Sequence, residues 1–387
     1  MRLCSILKTT AIGNRKFPQA SLAAPRRWAT VDEAYYSRPD VFFSHELSAV
    51  TTAQGWVPGG LPMPASGVVR VLIFNGTGTG YGDLLCGTVA IRLLHEGIIR
   101  AGYTPRLEII HAPSHERQYR EVYGSNPFVA DLVSGAVVCE EMDRAHYIAS
   151  TEQLLADEKF NELDMVDYFI WRLGMDCEKV PAAEKLPILP HTPETVRGAE
   201  TAFRLKKRGE KVCLLNLHAS GFRRLSAGIW GPLIQEIHRA GYRLWLTGAP
   251  HRAVDLEIAF TELGLARIGA VNVLAATPTW LDSVGLISNV DAVITPDTSV
   301  VHVAGAARVP CVGLFLSIDP KLRISYYPTV RGYVRPEWKK AAWWGKSVMP
   351  PEVMKEPYEH NAEWVEAWAK VNAAGVVKLL GRVADVG

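Results

Sequence analysis

From residue 68 onward, short apolar runs alternate with glycine turns and helical patterns. Val68–Phe74 is a nearly continuous β-branched and apolar run, the pattern of a strand buried on both faces of a parallel sheet. A glycine-rich turn follows, then a helical pattern from about Asp83 to Ala101. Arg106–His111 predicts the next strand and Ala136–Cys139 a weaker one. Strand, loop, helix, strand is the grammar of βαβ units. Pro181, Pro187, Pro190 and Pro193 then mark a boundary, after which the grammar restarts. Strands are predicted at Lys211–Leu217, Tyr242–Leu246, near Ala266–Ile268, Ala292–Thr295 and Cys311–Phe315. Helices are predicted at Ile229–Ala240, Arg252–Leu263, Ser283–Ile287 and Ser299–Ala307. The apolar spacing in Pro357–Val386 predicts one or two amphipathic helices packed on the body.

A chain of 387 residues suits two domains. The pattern divides it into a basic N-terminal extension and linker (1–66), a Rossmann-like domain (67–190), a second Rossmann-like domain (191–335) and a helical tail (336–387). The extension carries Arg2, Lys8, Arg15, Lys16, Arg26 and Arg27 before its first acid, Asp32. That composition reads either as a flexible basic arm or as an organelle targeting peptide. A 48% hydrophobic, 21% charged composition belongs to a folded globular protein, and the net charge of +2 calls for no nucleic-acid partner. Six scattered cysteines without a C-x-x-C pair argue against a zinc knuckle or a disulfide framework. The longest apolar stretch, 300–318, is interrupted by His302, Arg308 and Pro310, so no membrane span is expected. The cysteine pattern fits a reducing compartment, so a cytoplasmic location is expected, with peripheral contact at the inner membrane as the alternative. Arg335–Trp344 mixes basic and aromatic residues and suits either that contact or packing of Trp343 and Trp344 on the second domain.

Ligands of open α/β sheets bind outside the carboxyl ends of the strands, so the loops there carry the candidate chemistry. Gly76–Gly82 is rich in glycine, but the G-x-G-x-x-G spacing fails and the following strand ends in His111, not an acid. A nicotinamide-type dehydrogenase is therefore disfavoured. With Gly80 and Gly82, this loop brings flexible backbone close to a ligand and puts Asp83 at a helix N-terminus, where an ordinary cap is the competing reading. Asp297, Thr298, Ser299 and His302 open a helix after a buried strand. Exposed N–H groups and hydroxyls there suit a phosphate, against the plainer reading of a capping Asp and a core His. The turn His218–Arg224 offers Ser220, Arg223 and Arg224 as clamps for a diphosphate, against the plainer reading of solvated surface arginines. Thr247, Gly248, His251 and Thr279 lie where a nucleotide base or ribose is expected. No D-x-D triplet occurs, and no metal ligand set is assigned.

Taken in order, Gly82-Asp83, His218-Ala-Ser-Gly221 with its basic residues, Gly248-Ala-Pro-His251, Leu281–Ile287, Asp297–His302 and Phe315–Pro320 resemble the ADP-heptose:lipopolysaccharide heptosyltransferases of glycosyltransferase family 9. The resemblance covers about residues 68–330. It implies a GT-B fold, two Rossmann-like domains facing across a cleft, and an inverting, metal-independent sugar transfer. Asp83 matches the family's general base. Arg223 or Arg224, the backbone at Thr298 and Ser299, and His302 would hold the departing diphosphate. No cofactor is implied beyond the substrate, a nucleotide sugar with ADP favoured. The acceptor would be a glycan or glycolipid such as a lipopolysaccharide core. Arginine fills the turn where the family usually has lysine, Ser299 stands where glycine is usual, and Arg252 where an acid is usual. These departures motivate the alternative, a catalytically inactive member acting as a binding or structural subunit.

Overall fold

In the computed structural model the chain forms two compact units, Met1–Ile188 and Leu189–Gly387. The structure describes residues 2–4, 41–43, 67–74, 78, 80–111, 113–134, 144–150, 158–219, 223, 227–249, 252–316, 318–336, 338–340, 366 and 369–384.

The first unit is built on a six-stranded sheet in which every pairing is parallel. Its strands are β1 (Arg2–Cys4), β2 (Val41–Phe43), β3 (Val68–Phe74), β4 (Thr104–His111), β5 (Asp131–Ser134) and β6 (Tyr147–Ser150), in the spatial order β2-β1-β6-β3-β4-β5. The apolar run of β3 occupies the interior as its pattern requires, with Val71, Leu72 and Ile73 all buried. Helix α1 (Tyr81–Arg100) follows it and packs against α4 (Met165–Arg172), and the described residues also form helices α2 (Glu116–Tyr123) and α3 (Glu158–Glu162). Two features depart from the sequence expectation. Residues 2–4 and 41–43, within the segment read as extension and linker, lie in the sheet beside β6. The described strand beyond β4 is Asp131–Ser134, whose polar ends suit a sheet edge. The expected strand at Ala136–Cys139 lies outside the described residues.

The second unit has a second all-parallel sheet: β7 (Lys211–Asn216), β8 (Tyr242–Thr247), β9 (Val271–Asn272), β10 (Ala292–Pro296), β11 (Cys311–Leu314) and β12 (Val330–Tyr333). Their spatial order, β12-β11-β10-β7-β8-β9, is the doubly wound order, in which chain direction across the sheet reverses between the first and fourth strands. That switch point falls between β7 and β10. The strand expected near Ala266–Ile268 is instead a tight 3-10 turn, and pairing with β8 begins only at Val271. Leu265 of that turn is buried and Ile268 packs against the same core, so the apolar signal came from a turn anchored at both ends.

The described helices of this unit are α5 (Pro193–Leu205), α6 (Ala227–Arg239), α7 (Ala253–Glu262), α8 (Trp280–Ile287), α9 (Ser299–Ala306) and α10 (Ala373–Ala384). Helices α5 and α8 meet backbone to backbone. A Cβ on Gly198 would stand 2.0 Å from the Asp282 carbonyl oxygen, and one on Gly285 1.9 Å from that of Thr195. Arg197 closes the contact with two hydrogen bonds to the buried Asp282 carboxylate, at 2.8 and 3.0 Å. Burial opposes ionisation of Asp282, yet the bonds from Arg197 and Thr279 hold it below the usual carboxylate range. The tail helix α10 packs on α6, burying Val376 and Leu380 in the same core as Trp230 and Leu233. Trp338, from the basic and aromatic segment, is buried in that core too, whereas Trp343 and Trp344 lie outside the described residues.

Candidate functional site

The carboxyl ends of β7 and β10, at the switch point, carry the first cluster. Thr298 caps α9, its hydroxyl accepting from the Val300 N–H at 3.3 Å. Among the described residues, no hydrogen bond uses the N–H of Thr298 or Ser299. Both amides belong to the donors that a helix start leaves without an intrahelical partner, the kind of group that receives an anion. The loop is fixed from beneath by Asn216, the last residue of β7, whose amide donates to the hydroxyls of Thr295 and Thr298, each at 3.1 Å. The Asn216 side-chain carbonyl oxygen accepts from the His218 N–H at 3.3 Å. This network crosses the switch point from one strand to the other.

Arg223 arches over the same loop. Its guanidinium donates to the Asp297 carbonyl at 2.8 Å and to the Asp297 carboxylate at 3.2 Å. Asp297 thus binds and orients the arginine, and a carboxylate in that role is not itself a phosphate ligand. His302 also differs from the expectation that it reaches a phosphate oxygen. It is 3% exposed, its Nδ1 meets the Tyr327 hydroxyl at 3.0 Å, and the two rings stack edge to face. Burial pushes its pKa down to about 4, against a smaller opposing pull from Asp297, so the imidazole is neutral at pH 7. The plainer reading of a core histidine is the one the geometry matches.

The loop after β8 touches the loop after β7. His218 Nδ1 accepts from the Ala249 N–H at 3.2 Å, which leaves Nε2–H as the ring's donor. A Cβ on Gly248 would stand 2.1 Å from that Nδ1, so only glycine lets the imidazole seat here. Thr247 is buried at the end of β8. Thr279 is a helix cap: its hydroxyl donates to Asp282 at 2.6 Å and accepts from the Asp282 N–H at 3.1 Å. That engagement turns its hydroxyl into α8 and away from the ribose role expected of it. Ser220, Arg224 and His251 lie outside the described residues.

In the first unit, Asp83 is the third residue of α1 and its carboxylate accepts from the Gly80 N–H at 3.3 Å. The cap reading therefore holds, and it also fixes the carboxylate at the mouth of the glycine loop. Gly82 lies in the first turn beside it.

Residues 191–343 match the family model described as glycosyltransferase family 9 (heptosyltransferase). That match falls within the second unit and spans less than half of the chain. No curated protein matches the chain significantly. Among solved structures, the chain is similar to E. coli ADP-heptose LPS heptosyltransferase II, with 14% identity, 82% of this chain and 98% of that one covered and a TM-score of 0.56. It is similar to the family 9 glycosyltransferase of Veillonella parvula DSM 2008, at 12% identity, the same coverages and a TM-score of 0.58. The iron-containing dodecameric glycosyltransferase TibC from enterotoxigenic E. coli H10407 aligns at 14% identity, covering 82% and 76%, with a TM-score of 0.50. TibC has also been solved in complex with ADP-D-beta-D-heptose. At these identities the likeness is one of fold, and the fold is GT-B.

Within residues 191–343, sequence reasoning passed over Asn216, Thr295 and Tyr327. Each acts through contacts 25 to 82 residues away along the chain, which no local motif announces. Among the described residues no group of three or more His, Cys, Asp or Glu side chains is arranged to hold a metal ion.

Proposed function

We propose that this protein transfers a sugar from a nucleoside diphosphate donor to a hydroxyl acceptor, with inversion at the anomeric carbon and without a divalent metal. The observation that carries the reading is the pair of helix-start amides at Thr298 and Ser299 that no hydrogen bond among the described residues uses, placed at the doubly wound switch point of a region matching the family 9 model. They receive the diphosphate, with the Arg223 guanidinium held beside them by Asp297. The loops containing Gly248 and His218 accept the nucleoside. Asp83 removes the proton from the acceptor hydroxyl. The oxygen so activated attacks the anomeric carbon from the side opposite the diphosphate, which departs with the bonding electron pair. Charge growing on the leaving group meets donors already in place, and such preorganised stabilisation usually contributes more to the rate than any other single effect.

ADP-heptose is the default donor, supported by the family description and by the ligand solved with TibC. A glycan or glycolipid hydroxyl is the default acceptor. A thermal-shift and donor-hydrolysis screen of ADP-, UDP- and GDP-sugars on the wild type and on Asp83→Ala tests this. The expected result is stabilisation of both proteins by one nucleotide class and turnover by the wild type alone. No stabilisation by any nucleotide sugar would overturn the reading.

A further inference from the structure

Three side chains of α2 reach the loop and helix start that carry Asp83. The Tyr119 hydroxyl donates to the Gly78 carbonyl at 2.7 Å, the Tyr81 hydroxyl donates to Glu121, and the Tyr123 hydroxyl donates to the Leu84 carbonyl at 2.8 Å. The bonded positions 78, 81 and 84 bracket Asp83 on both sides. Gly78 is itself pressed against the aspartate: a Cβ built on it would stand 2.9 Å from the Asp83 Cβ and 3.2 Å from its Oδ2. Whatever fixes the Gly78 carbonyl therefore fixes one wall of the carboxylate's surroundings.

Tyr119 is held in turn. Its ring stacks on His111, the buried last residue of β4, with centroids 4.8 Å apart and planes 18° from parallel. Tyr119 and Tyr123 are both buried, so neither phenol swings aside without opening the core. Arg117 donates to the second oxygen of Glu121 at 3.1 Å, and burial beside that carboxylate pushes the Tyr81 phenol well above its ordinary value. Tyr81 consequently stays protonated and donating throughout the physiological range. Helices that merely pack do so through apolar contacts; here three polar bonds converge on one short loop.

We infer that α2 is a positioning element for the transfer, with Tyr119, Glu121 and Tyr123 holding the Gly78–Leu84 segment so that the Asp83 carboxylate keeps one orientation toward the acceptor hydroxyl. The inference rests on the reading of Asp83 as the base. A misplacement of about 1 Å costs on the order of 10²-fold in rate, so loss of one anchoring bond should show in kcat.

The test compares Tyr119→Phe, which keeps the ring and its stack on His111 but deletes the donor, with Glu121→Gln, Asp83→Asn, the double variant Tyr119→Phe/Asp83→Asn and the outward-facing control Arg120→Ala. Steady-state kinetics use ADP-heptose and a lipopolysaccharide-core acceptor, and hydrogen exchange follows the amides of Gly80 and Leu84. Tyr119→Phe should lower kcat about 10-fold with donor KM unchanged, speed exchange at both amides, and add no further loss to Asp83→Asn. Arg120→Ala should match the wild type. Unchanged kcat in Tyr119→Phe and Glu121→Gln, with or without faster exchange, would overturn the positioning role and leave the base intact. Full turnover in Asp83→Asn would instead remove Asp83 from the chemistry, whereas additive losses in the double variant would show Tyr119 acting independently of Asp83 and overturn the positioning role. Exchange left unaltered by Tyr119→Phe overturns the anchoring itself and needs no turnover to be read.

Discussion

The loops at the strand ends of the second unit are tied to one another across the sheet. Ala249 bonds to His218, His218 to Asn216, and Asn216 to the hydroxyls of Thr295 and Thr298, so three neighbouring strand ends share one network. The glycine loop of the first unit is held differently, by phenol and carboxylate groups reaching in from α2. The difference follows from what each loop has to present. A phosphate-binding helix start offers backbone amides, whose directions are set once the sheet and cap are formed. The Asp83 carboxylate sits in the first turn of a helix entered from a glycine-rich stretch, whose backbone is permissive, and side chains steady that entry. On this view, binding resides in the second unit and proton transfer in the first, and substitutions should separate the two.

The largest effect expected is at Asp83. Removing its charge in Asp83→Asn should lower kcat by about 10² to 10⁴-fold while leaving the donor dissociation constant near the wild-type value. Calorimetric titration of a nucleotide sugar alongside initial rates checks both halves. A loss of donor affinity as large as the loss of rate would erase the division between the units.

Next in size is Arg223→Gln. Charge-assisted hydrogen bonds are worth about 1.5–3 kcal/mol, so a donor diphosphate should bind roughly 10 to 150-fold more weakly. The nucleoside monophosphate, lacking the second phosphate, should bind this variant and the wild type with closer affinity. Equal weakening toward both ligands would place Arg223 on the nucleoside side or in the structure alone. Gly248→Ala sharpens the comparison from the other end. Its new methyl would stand 2.1 Å from His218 Nδ1 and has to displace a ring that bonds to Ala249. A stability loss of about 3 kcal/mol in urea unfolding is expected, with weaker nucleotide binding. A variant as stable as the wild type would show that His218 swings away at little cost.

Much of this frame is readable in the sequence, because a strand buried on both faces has no choice but to be apolar along its length. Val68–Phe74, Lys211–Asn216, Tyr242–Thr247 and Ala292–Pro296 are all found where the apolar runs predict them. Elements lacking that signal escape notice. Asp131–Ser134 is a polar edge strand, Val271–Asn272 is two residues long, and α5 begins at Pro193 inside what reads as a proline-rich boundary. Thr192 supplies the N-cap of α5 and Pro193 its first turn, a start signal hidden by the prolines before it. The site divides in the same manner. The helix start at Thr298 and the cap at Asp83 are local events with local signatures. The partners that fix them are not: Asn216 bonds 82 residues away, and Tyr119 bonds 41 residues away. His302 shows the converse, a residue whose motif is plain while its direction depends on Tyr327 and on burial.

That direction yields the smallest expected effect, and it bears on whether His302 belongs to the binding surface at all. A histidine facing a diphosphate would gain a proton partner and hold its charge to higher pH. The folded His302 is instead neutral down to about pH 4, against an ordinary value near 6.5. Between those two values the unfolded chain takes up a proton that the native protein refuses, so stability is complete above about pH 6.5 and falls as the pH drops through that window. From pH 6.5 to 5 the loss from this one group approaches about 2 kcal/mol, at about 1.4 kcal/mol per unit. Urea unfolding of the wild type and of His302→Gln at both pH values isolates it, because the comparison is of slopes and not of absolute stability. The variant should lose about 2 kcal/mol less than the wild type over the interval. Parallel slopes would mean that His302 is protonated in the native protein, and a cation beside the Thr298 amides would return it to the diphosphate site.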